Sequence, residues 1–269
     1  MSFTVSIVLF QHQAEELHNL FVELNAASSV KTVWLVDNGG CGWAQNTCEF
    51  HKFRYVKSAV NGGYGYGHNL AIHQLDSSSS HHIICNPDIR FHPNELDQYS
   101  EVLNDYDDAL IMPNIVYPSG ERQELCKLLP TPLDLFARRF APRLASRLDD
   151  RYLLRGADFS RDFFVPSLSG CFMVCRTDCL KAVNGFDERY FMYLEDIDLS
   201  RRLAEEGGAR FLPRMTVIHC FNKGSYRNNK LLVYHLCSAL KYFNKWGWIF
   251  DDNRRNLNAR CLEGLPKKA

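Results

Sequence analysis

The residues best suited to chemistry in this chain stand directly after short apolar runs. They are the pairs Phe10–Gln11 and Asp37–Asn38, the segment Asn61–Asn69 and the triplet Asn86–Asp88. In an open sheet of parallel strands such residues meet at one edge, outside the carboxyl ends of the strands, where ligands bind. Carboxylates, amides and exposed backbone N–H groups on one rim suit a polar ligand that carries phosphate. Each cluster taken alone is also explained by turn chemistry.

The glycine-rich segment Asn61–Gly67 matches neither standard nucleotide-binding loop. The pattern G-x-G-x-x-G that starts at Gly63 needs a third glycine where His68 stands, and G-x-x-x-x-G-K-[ST] is absent from the sequence. Two interpretations of this segment remain open. The segment is either a loop whose backbone approaches a ligand just before a helix N-terminus, or a tight turn with two packed tyrosines.

Three acids occupy the first turn of a predicted helix, Glu195–Glu206. Acids there stabilise the helix dipole by about 0.3–1 kcal/mol each, which is the simplest explanation for them. Asp198 precedes Arg202 by four residues, the spacing of a helical ion pair. Asp196 has Ser200 at that spacing, so it is available as a general base, and spacing alone does not exclude Glu195 from that role.

His219 ends the short apolar run Thr216–Ile218 and is expected at the same sheet edge as Asp88. A lone histidine is more often a satisfied core or rim group than a ligand. With Asp88, however, it can hold a divalent cation whose other ligands are water and phosphate oxygens.

The elements that must position these residues alternate between strand and helix in the first half of the chain. Strands are predicted at Thr4–Phe10, Lys31–Val36, Phe53–Val56 and His82–Cys85, with helices at Gln13–Ala27 and after Gly67. Such alternation predicts an α/β fold with a mostly parallel sheet covered by helices. Regularity fades over 117–165 and returns with a strand at Leu168–Val174. We predict one domain over 1–225, with halves at 1–115 and 116–225, and a helical extension over 226–269.

Composition excludes several classes of function. The chain has 269 residues and equal numbers of basic and acidic side chains, 31 each, so it lacks the positive charge of a dedicated nucleic-acid binder. Its ten cysteines contain no C-x-x-C pair, which favours buried reduced thiols. The alternative, zinc bound by Cys171, Cys175, Cys179 and Cys220, does not have the spacing of zinc knuckles. With no basic leader and no long apolar run, we expect a cytoplasmic protein.

The segment 133–155 is basic and amphipathic, with six arginines among leucines and phenylalanines. Such a stretch can bind an anionic membrane surface. It can equally be a solvated loop, or one that folds over a ligand.

The order and spacing of these segments resemble the family 2 glycosyltransferases of GT-A fold, particularly bacterial members that build O-antigen or other surface polysaccharides. The matching segments, which span residues 4–225, are SIVLF near the start, VDNG at 36–39, NGGYGYGHN at 61–69, NPD at 86–88, SGCFMVCR at 169–176, GFDERYFMYLEDIDLSRRL at 185–203 and the histidine of VIHCFNKGS. No segment is specific alone, but their joint order is.

The resemblance implies a donor site in the first half of the chain. Phe10 and Asp37 would contact the nucleotide base, and Asn61, Gly67 and Asn69 would approach the nucleotide and the donor sugar.

The resemblance also implies metal and catalytic positions. Asp88 takes the last place of the D-x-D metal motif, and His219 resembles the late metal-binding histidine, so Mg²⁺ or Mn²⁺ is the implied cofactor. The first D-x-D position is Asn86, a weaker ligand, which leaves strict metal dependence open. Asp196 matches the catalytic base, and Arg202 matches the basic residue that closes the motif and joins the donor-binding set.

The implied function is an inverting glycosyltransferase of lipopolysaccharide or other surface-glycan synthesis. NPD variants resemble rhamnosyltransferases, so the expected donor is dTDP-rhamnose, with UDP-sugars as the alternative. The expected acceptor is a glycan, free or linked to a polyprenyl diphosphate, reached by peripheral attachment to the inner membrane face. A non-catalytic module that binds sugar nucleotides or glycans is the competing hypothesis.

Overall fold

The computed structural model describes residues 1–76, 79–135, 149–220 and 229–267. The strands of this part of the chain are β1 (Phe3–Leu9), β2 (Val30–Asp37), β3 (Phe53–Lys57), β4 (His81–Cys85), β5 (Ile89–Arg90), β6 (Leu110–Val116), β7 (Cys126–Lys127), β8 (Phe163–Phe164), β9 (Ser167–Leu168), β10 (Phe172–Arg176) and β11 (Ala209–His219). The α-helices are α1 (Ala14–Ala26), α2 (Tyr64–Ile72), α3 (Pro93–Val102), α4 (Thr177–Ala182), α5 (Glu195–Glu206), α6 (Asn229–Trp246) and α7 (Asp252–Glu263). Short 3₁₀ helices lie at Gly42–Glu49 and Leu103–Asp105.

One mixed sheet organises the described residues. Its order is β3-β2-β1-β4-β10-β6-β11-β5, and β8 pairs with the edge of β11. Strands β1, β2, β3 and β4 are mutually parallel, and β6 and β11 are parallel to each other. Strand β10 runs antiparallel between β4 and β6, so the carboxyl ends of the parallel strands all lie at one edge. This confirms the predicted α/β class with a mostly parallel sheet.

Helices cover both faces of the sheet. Val5, Ile7 and Leu9 of β1 belong to the core cluster that includes the buried face of α1, where Leu17 and Leu20 lie. Helices α1 and α3 pack together on this face, while α2, α4 and α5 pack together on the other. The apolar side chains that recur every second residue in the strand thus pack against those that recur every 3.6 residues in the helix.

A buried polar chain links the sheet to α2. The Ser6 hydroxyl lies 2.7 Å from His68 Nδ1 and 2.8 Å from His82 Nε2, and Thr4 Oγ1 lies 2.8 Å from His82 Nδ1. Burial lowers the pKa of His82 to about 3 and that of His68 well below its ordinary value. Both imidazoles are therefore neutral at physiological pH, which makes this network sensitive to acid.

Two boundaries differ from the sequence prediction for identifiable reasons. Helix α2 begins at Tyr64 rather than after Gly67, because Gly65 and Gly67 serve close helix packing; a Cβ on Gly67 would lie 2.7 Å from Val8. The predicted strand Leu168–Val174 is two strands, β9 and β10. The break at Gly170 presents backbone groups to the side chains of two other elements.

Helices α6 and α7 are fastened to α5 through a buried arginine. Arg201 is fully buried and makes a two-point ion pair with Asp251, which caps α7 by accepting from Arg254 N at 2.9 Å. Trp246 of α6 stacks 3.9 Å from the same guanidinium. The described part of the predicted extension is thus joined to the helix that carries the acidic cluster. None of the described helices is both long and apolar enough to cross a membrane.

Candidate active site

An open cleft of about 1700 Å³ runs along the carboxyl ends of the parallel strands. Its lining includes Phe10, Asn61 and Asp88 on the side of the first strands. The same lining includes Asp196 at the start of α5 and His235 on α6. The sheet edge expected to bind ligand and the helix expected to supply the base therefore border one cleft.

Asp88 and His219 meet on the cleft floor as predicted. His219 Nε2 lies 3.2 Å from Asp88 Oδ1, on two backbone segments that pair in register because His219 is opposite Ile89. Burial lowers the pKa of His219, but its contacts with Asp88 and Cys171 outweigh that effect and raise the pKa to about 10. A proton on Nε2 and a metal ion would thus compete for one place.

Gln123 fixes the imidazole of His219. The Gln123 amide oxygen lies 2.9 Å from His219 Nδ1, and its amide nitrogen donates to the His219 carbonyl at 3.0 Å and to Val116 O at 3.4 Å. Those carbonyls can only accept, so they set the amide orientation, and Nδ1 must carry the proton. Nε2 is then aimed at Asp88, the second-sphere arrangement typical of metal-binding histidines.

The side chains of Asp88 and His219 fit a divalent cation whose remaining ligands would include diphosphate oxygens. A carboxylate oxygen and an imidazole nitrogen suit Mg²⁺ or Mn²⁺. No group of three His, Cys, Asp or Glu side chains is placed to hold a metal within the described residues, so donor oxygens and water would complete the coordination. Asn86 is engaged elsewhere, because its amide oxygen lies 3.0 Å from the Tyr64 hydroxyl.

Two neighbouring carboxyl groups stand at the start of α5 and differ in environment. Asp196 Oδ2 accepts from Gly170 N at 3.0 Å and Oδ1 from Ile197 N at 2.8 Å, as expected of a carboxylate. Glu195 is buried, and its Oε2 has no hydrogen-bond partner in the residues that the structure covers. Burial and the adjacent Asp196 raise the pKa of Glu195 well above its ordinary value. Asp196 thus lines the cleft with both oxygens held by backbone N–H groups, whereas the raised pKa of Glu195 favours its protonated form.

The chain enters α5 through an unusual backbone. Tyr193 and Leu194 have φ of 70° and 61°, a left-handed conformation that residues other than glycine rarely adopt. Leu194 is buried against Tyr242 and Phe243, which offsets the local strain. This entry sets the direction in which the first turn of α5 presents its acids.

The loop before α2 connects the two sides of the cleft. Asn38 donates to Gly63 O at 2.8 Å, Asn61 accepts from Gly63 N at 3.2 Å, and Tyr64 N donates to Phe191 O at 3.0 Å. Gly63 has φ of 98°, and a Cβ there would lie 2.0 Å from Phe191 O. Glycine is required at this crossing for both conformation and space. The segment is thus tightly packed, as one of the two interpretations predicts, and it borders the cleft.

Four predicted donor-site residues lie outside the cleft lining in the described structure and hold the framework instead. Asp37 accepts from Gly39 N, Cys41 N and the Tyr55 hydroxyl. Asn69 donates to Phe186 O at 2.9 Å and accepts from Phe186 N at 2.8 Å. Gly67 packs in α2, and Arg202 pairs with Asp198 Oδ2 at 2.8 Å while donating to Val183 O and Gly185 O. The predicted Asp198–Arg202 ion pair is therefore present.

Sequence reasoning missed three residues of the cleft. Tyr64 donates to Gly170 O at 2.6 Å and so helps to hold the residue whose N–H donates to Asp196. Gln123 lies in the irregular stretch, where nothing in the pattern points to it. His12 lines the cleft near Asp88, and burial lowers its pKa. Only Tyr64 gave a usable signal, since it interrupts the glycine-rich run.

Known proteins resemble this chain in sequence. The family described as the N-terminal domain of galactosyltransferase matches residues 151–224. An N-acetylglucosaminyl-diphospho-decaprenol L-rhamnosyltransferase of Mycobacterium tuberculosis is 29% identical over 207 residues, which cover 70% of this chain and 66% of that protein, just under two thirds of its length. The rhamnosyltransferase WbbL of Escherichia coli is 25% identical over 260 residues, 88% of this chain and 92% of WbbL.

A solved structure resembles the fold as a whole. The mannosyltransferase PcManGT of Pyrobaculum calidifontis, determined with GDP-Man and Mn²⁺, superimposes with a TM-score of 0.60 at 14% identity, covering 97% of this chain and 74% of that one. The fold is thus that of the GT-A glycosyltransferases. In sequence and in fold the chain is therefore similar to family 2 glycosyltransferases of the rhamnosyltransferase kind.

Proposed function

We propose that this protein is an inverting glycosyltransferase that moves a sugar from a nucleotide diphosphate to a glycan acceptor. The observation that carries the proposal is that Asp196 and the Asp88–His219 pair line one cleft, in a GT-A fold. A base and a metal-ligating pair in one cleft are what in-line displacement of a diphosphate at an anomeric carbon requires. Residues 1–225 would form the catalytic unit and 226–269 its extension.

Asp196 accepts the proton of the acceptor hydroxyl as that oxygen attacks the anomeric carbon. General base catalysis of this kind contributes roughly 10²–10⁴-fold. The Gly170 and Ile197 N–H groups hold the carboxylate in place. Attack from the face opposite the leaving group inverts the configuration of the sugar.

Asp88 and His219 would hold a divalent cation at the diphosphate end of the donor. That cation would supply positive charge to offset the charge of the leaving nucleotide diphosphate. Gln123 accepts from Nδ1–H of His219, so Nε2 is the nitrogen that would bind a cation in place of its own proton. Asn61 and Phe10, which line the adjacent rim, would contact the nucleotide and its base.

The relatives favour a particular donor and acceptor. Two are named as rhamnosyltransferases, which supports dTDP-rhamnose as donor, with a UDP-sugar as the alternative. One is named for a decaprenol-linked substrate, which supports a polyprenyl-diphosphate-linked acceptor in surface-glycan synthesis. Such an acceptor implies work at the inner face of the plasma membrane. The segment 133–155 predicted to bind that surface lies largely outside the described residues, which resume at 149.

A thermal-shift panel of dTDP, UDP and GDP, with and without Mn²⁺, tests the donor site. A ligand at about 100 times its Kd stabilises a protein by roughly 2.7 kcal/mol, which raises Tm measurably. We expect dTDP or UDP to raise Tm, Mn²⁺ to increase the shift, and Asp88→Asn to abolish the increase. Asp252→Asn is the matched control, because that carboxyl group is 85% exposed on α7. A shift that Asp88→Asn leaves unchanged contradicts the proposal.

A further inference from the structure

A histidine of the C-terminal extension lines the cleft beside the proposed base. His235 of α6 and Asp196 both belong to the cleft lining, and they are near enough for the Asp196 charge to raise the pKa of the imidazole. The His235 ring packs edge to face on Tyr193, three residues before Asp196, with the ring centroids 5.5 Å apart. A polar side chain therefore stands next to Asp196 without belonging to the Asp88–His219 pair.

The two helical turns that follow His235 fix its position. Ser238 and Tyr242 lie three and seven residues further along α6 and therefore share the helix face of His235. The Ser238 hydroxyl donates to Met192 O at 2.8 Å, and Arg201 donates to the Tyr242 hydroxyl at 3.4 Å. Both hydrogen bonds join this face of α6 to α5 or to the segment that enters α5. The imidazole thus keeps a set position relative to the first turn of α5.

The imidazole of His235 has hydrogen-bonding capacity that the rest of the described chain does not use. Neither of its ring nitrogens makes a hydrogen bond to a residue that the structure describes. Burial lowers the pKa of His235 and Lys127 lowers it further, against the opposing effect of Asp196. At neutral pH the ring is therefore mainly uncharged, with one N–H donor and one acceptor nitrogen. A sugar hydroxyl, which is itself both donor and acceptor, can pair with either.

Aromatic rings stand beside His235 in the cleft lining. Phe191 and Tyr234 pack against each other with ring centroids 4.7 Å apart, and Tyr193 lines the cleft with them. The backbone here is held in place, since Tyr64 N donates to Phe191 O at 3.0 Å. Aromatic faces next to a few hydrogen-bonding groups are typical of small-molecule sites. A pyranose, with C–H groups on its faces and hydroxyls around its edge, has the matching chemistry.

The neighbouring groups favour the acceptor sugar over the donor sugar at this place. The attacking hydroxyl must come within hydrogen-bond distance of Asp196 to lose its proton there. The donor sugar is tied to its diphosphate, which the proposed function places at Asp88 and His219. An acceptor ring that presents one hydroxyl to Asp196 brings its neighbouring hydroxyls within reach of the His235 imidazole.

We propose that His235 and the Phe191–Tyr234 pair form the subsite for the acceptor sugar, in which the imidazole hydrogen-bonds a hydroxyl next to the one that reacts. The ligand class is a pyranose with two neighbouring free hydroxyls. The inference rests on the proposed function, because that function makes Asp196 the base. It places part of acceptor recognition in the extension 226–269, outside the predicted catalytic unit.

Two substitutions separate hydrogen bonding from packing. His235→Phe keeps an aromatic ring against Tyr193 and removes both ring nitrogens, whereas His235→Gln keeps a donor and an acceptor without the ring. Calorimetry measures the Kd of short-chain polyprenyl-diphosphate N-acetylglucosamine for protein saturated with dTDP and Mn²⁺, a complex in which no sugar can be transferred. We expect His235→Phe to raise this Kd about tenfold and His235→Gln to change it less than about threefold. His18→Phe, at an exposed histidine of α1, is the control and should bind like the parent.

Deoxy analogues of the acceptor, each lacking one sugar hydroxyl, identify the group that His235 binds. Loss of that hydroxyl should raise the Kd of the parent about tenfold and leave the Kd of His235→Phe unchanged, since the variant has already lost the hydrogen bond. The Tm shift caused by dTDP should be the same in the parent and in both His235 variants, because the donor site is intact.

An unchanged Kd in His235→Phe overturns the subsite. So does weaker binding in His235→Gln alone, because the contact with Tyr193 would then be one of packing. A parent that does not bind the acceptor overturns it as well. A parent that binds the acceptor as expected but transfers no sugar from any nucleotide donor defeats the proposed function and leaves the sugar-binding subsite in place.

Discussion

The pair Asp196→Asn and Glu195→Gln separates the two neighbouring carboxyl groups at the start of α5. Both changes keep size and shape, and both replace a carboxyl group with an amide. Asp196 accepts hydrogen bonds from two backbone N–H groups and lines the cleft. Asp196→Asn replaces this carboxylate with an amide, which cannot act as a general base. Burial and Asp196 raise the pKa of Glu195, which favours the neutral, protonated form that glutamine resembles.

The expected magnitudes differ widely. Removing a general base costs roughly 10²–10⁴-fold in kcat, or about 3–5 kcal/mol in the barrier. Glu195→Gln introduces a neutral amide where the raised pKa already favours a neutral carboxyl group, and Glu195 Oε2 makes no hydrogen bond within the described structure. We therefore expect its kcat to stay within about fivefold of the parent, a change of roughly 1 kcal/mol.

Initial rates of sugar transfer at saturating donor measure kcat, and Tm of each variant confirms folding. The nucleotide-induced Tm shift should be the same in both variants, since neither carboxyl group belongs to the Asp88–His219 pair that the proposal places at the diphosphate. If Glu195→Gln loses as much activity as Asp196→Asn, or if Asp196→Asn stays fully active, the assignment of the base is wrong.

Three further predictions concern stability. Asp251→Ala leaves the Arg201 guanidinium buried without its ion-pair partner and should cost about 3–5 kcal/mol, measured by urea unfolding. Gly63→Ala strains a left-handed position and meets a carbonyl 2.0 Å away, so Tm should fall by several degrees, whereas Gly156→Ala, with open space around it, should not lower Tm comparably. The pKa of His82 is about 3 in the folded state against 6.5 ordinarily, so its contribution to stability is complete above pH 6.5 and declines as pH falls toward 3. Between pH 7 and 5 the free energy of unfolding should therefore fall by about 2 kcal/mol through His82. A His82→Gln variant whose free energy of unfolding depends on pH as the parent's does would argue against this role.

The sheet and its ligand-binding edge could be predicted because local patterns determine them. Apolar runs placed β1, β2, β3 and β4 within about one residue of their observed ends, and parallel strands then bring Asp88 to the cleft. The acids of α5 were found for the same reason, since helix periodicity separated Asp198 from Asp196.

Roles that depend on distant partners could not be predicted in this way. Asn69 clamps Phe186, which is 117 residues away, and its sequence context is equally compatible with a ligand contact. Gln123 acts on His219 from an irregular segment 96 residues earlier. The start of α2 was hidden because glycine ordinarily disfavours helix, and only the packing partner Val8 explains Gly67.

The most direct test is transfer by the purified protein from dTDP-rhamnose and Mn²⁺ to a short-chain polyprenyl-diphosphate N-acetylglucosamine, followed by mass spectrometry. We predict a product heavier by one deoxyhexose, which is lost in Asp196→Asn but retained in Glu195→Gln. A UDP-sugar that reacts instead would change the donor and leave the site assignment intact. If no nucleotide sugar yields product although the nucleotide and Mn²⁺ raise Tm, the protein binds sugar nucleotides without catalysing transfer, and the central claim fails.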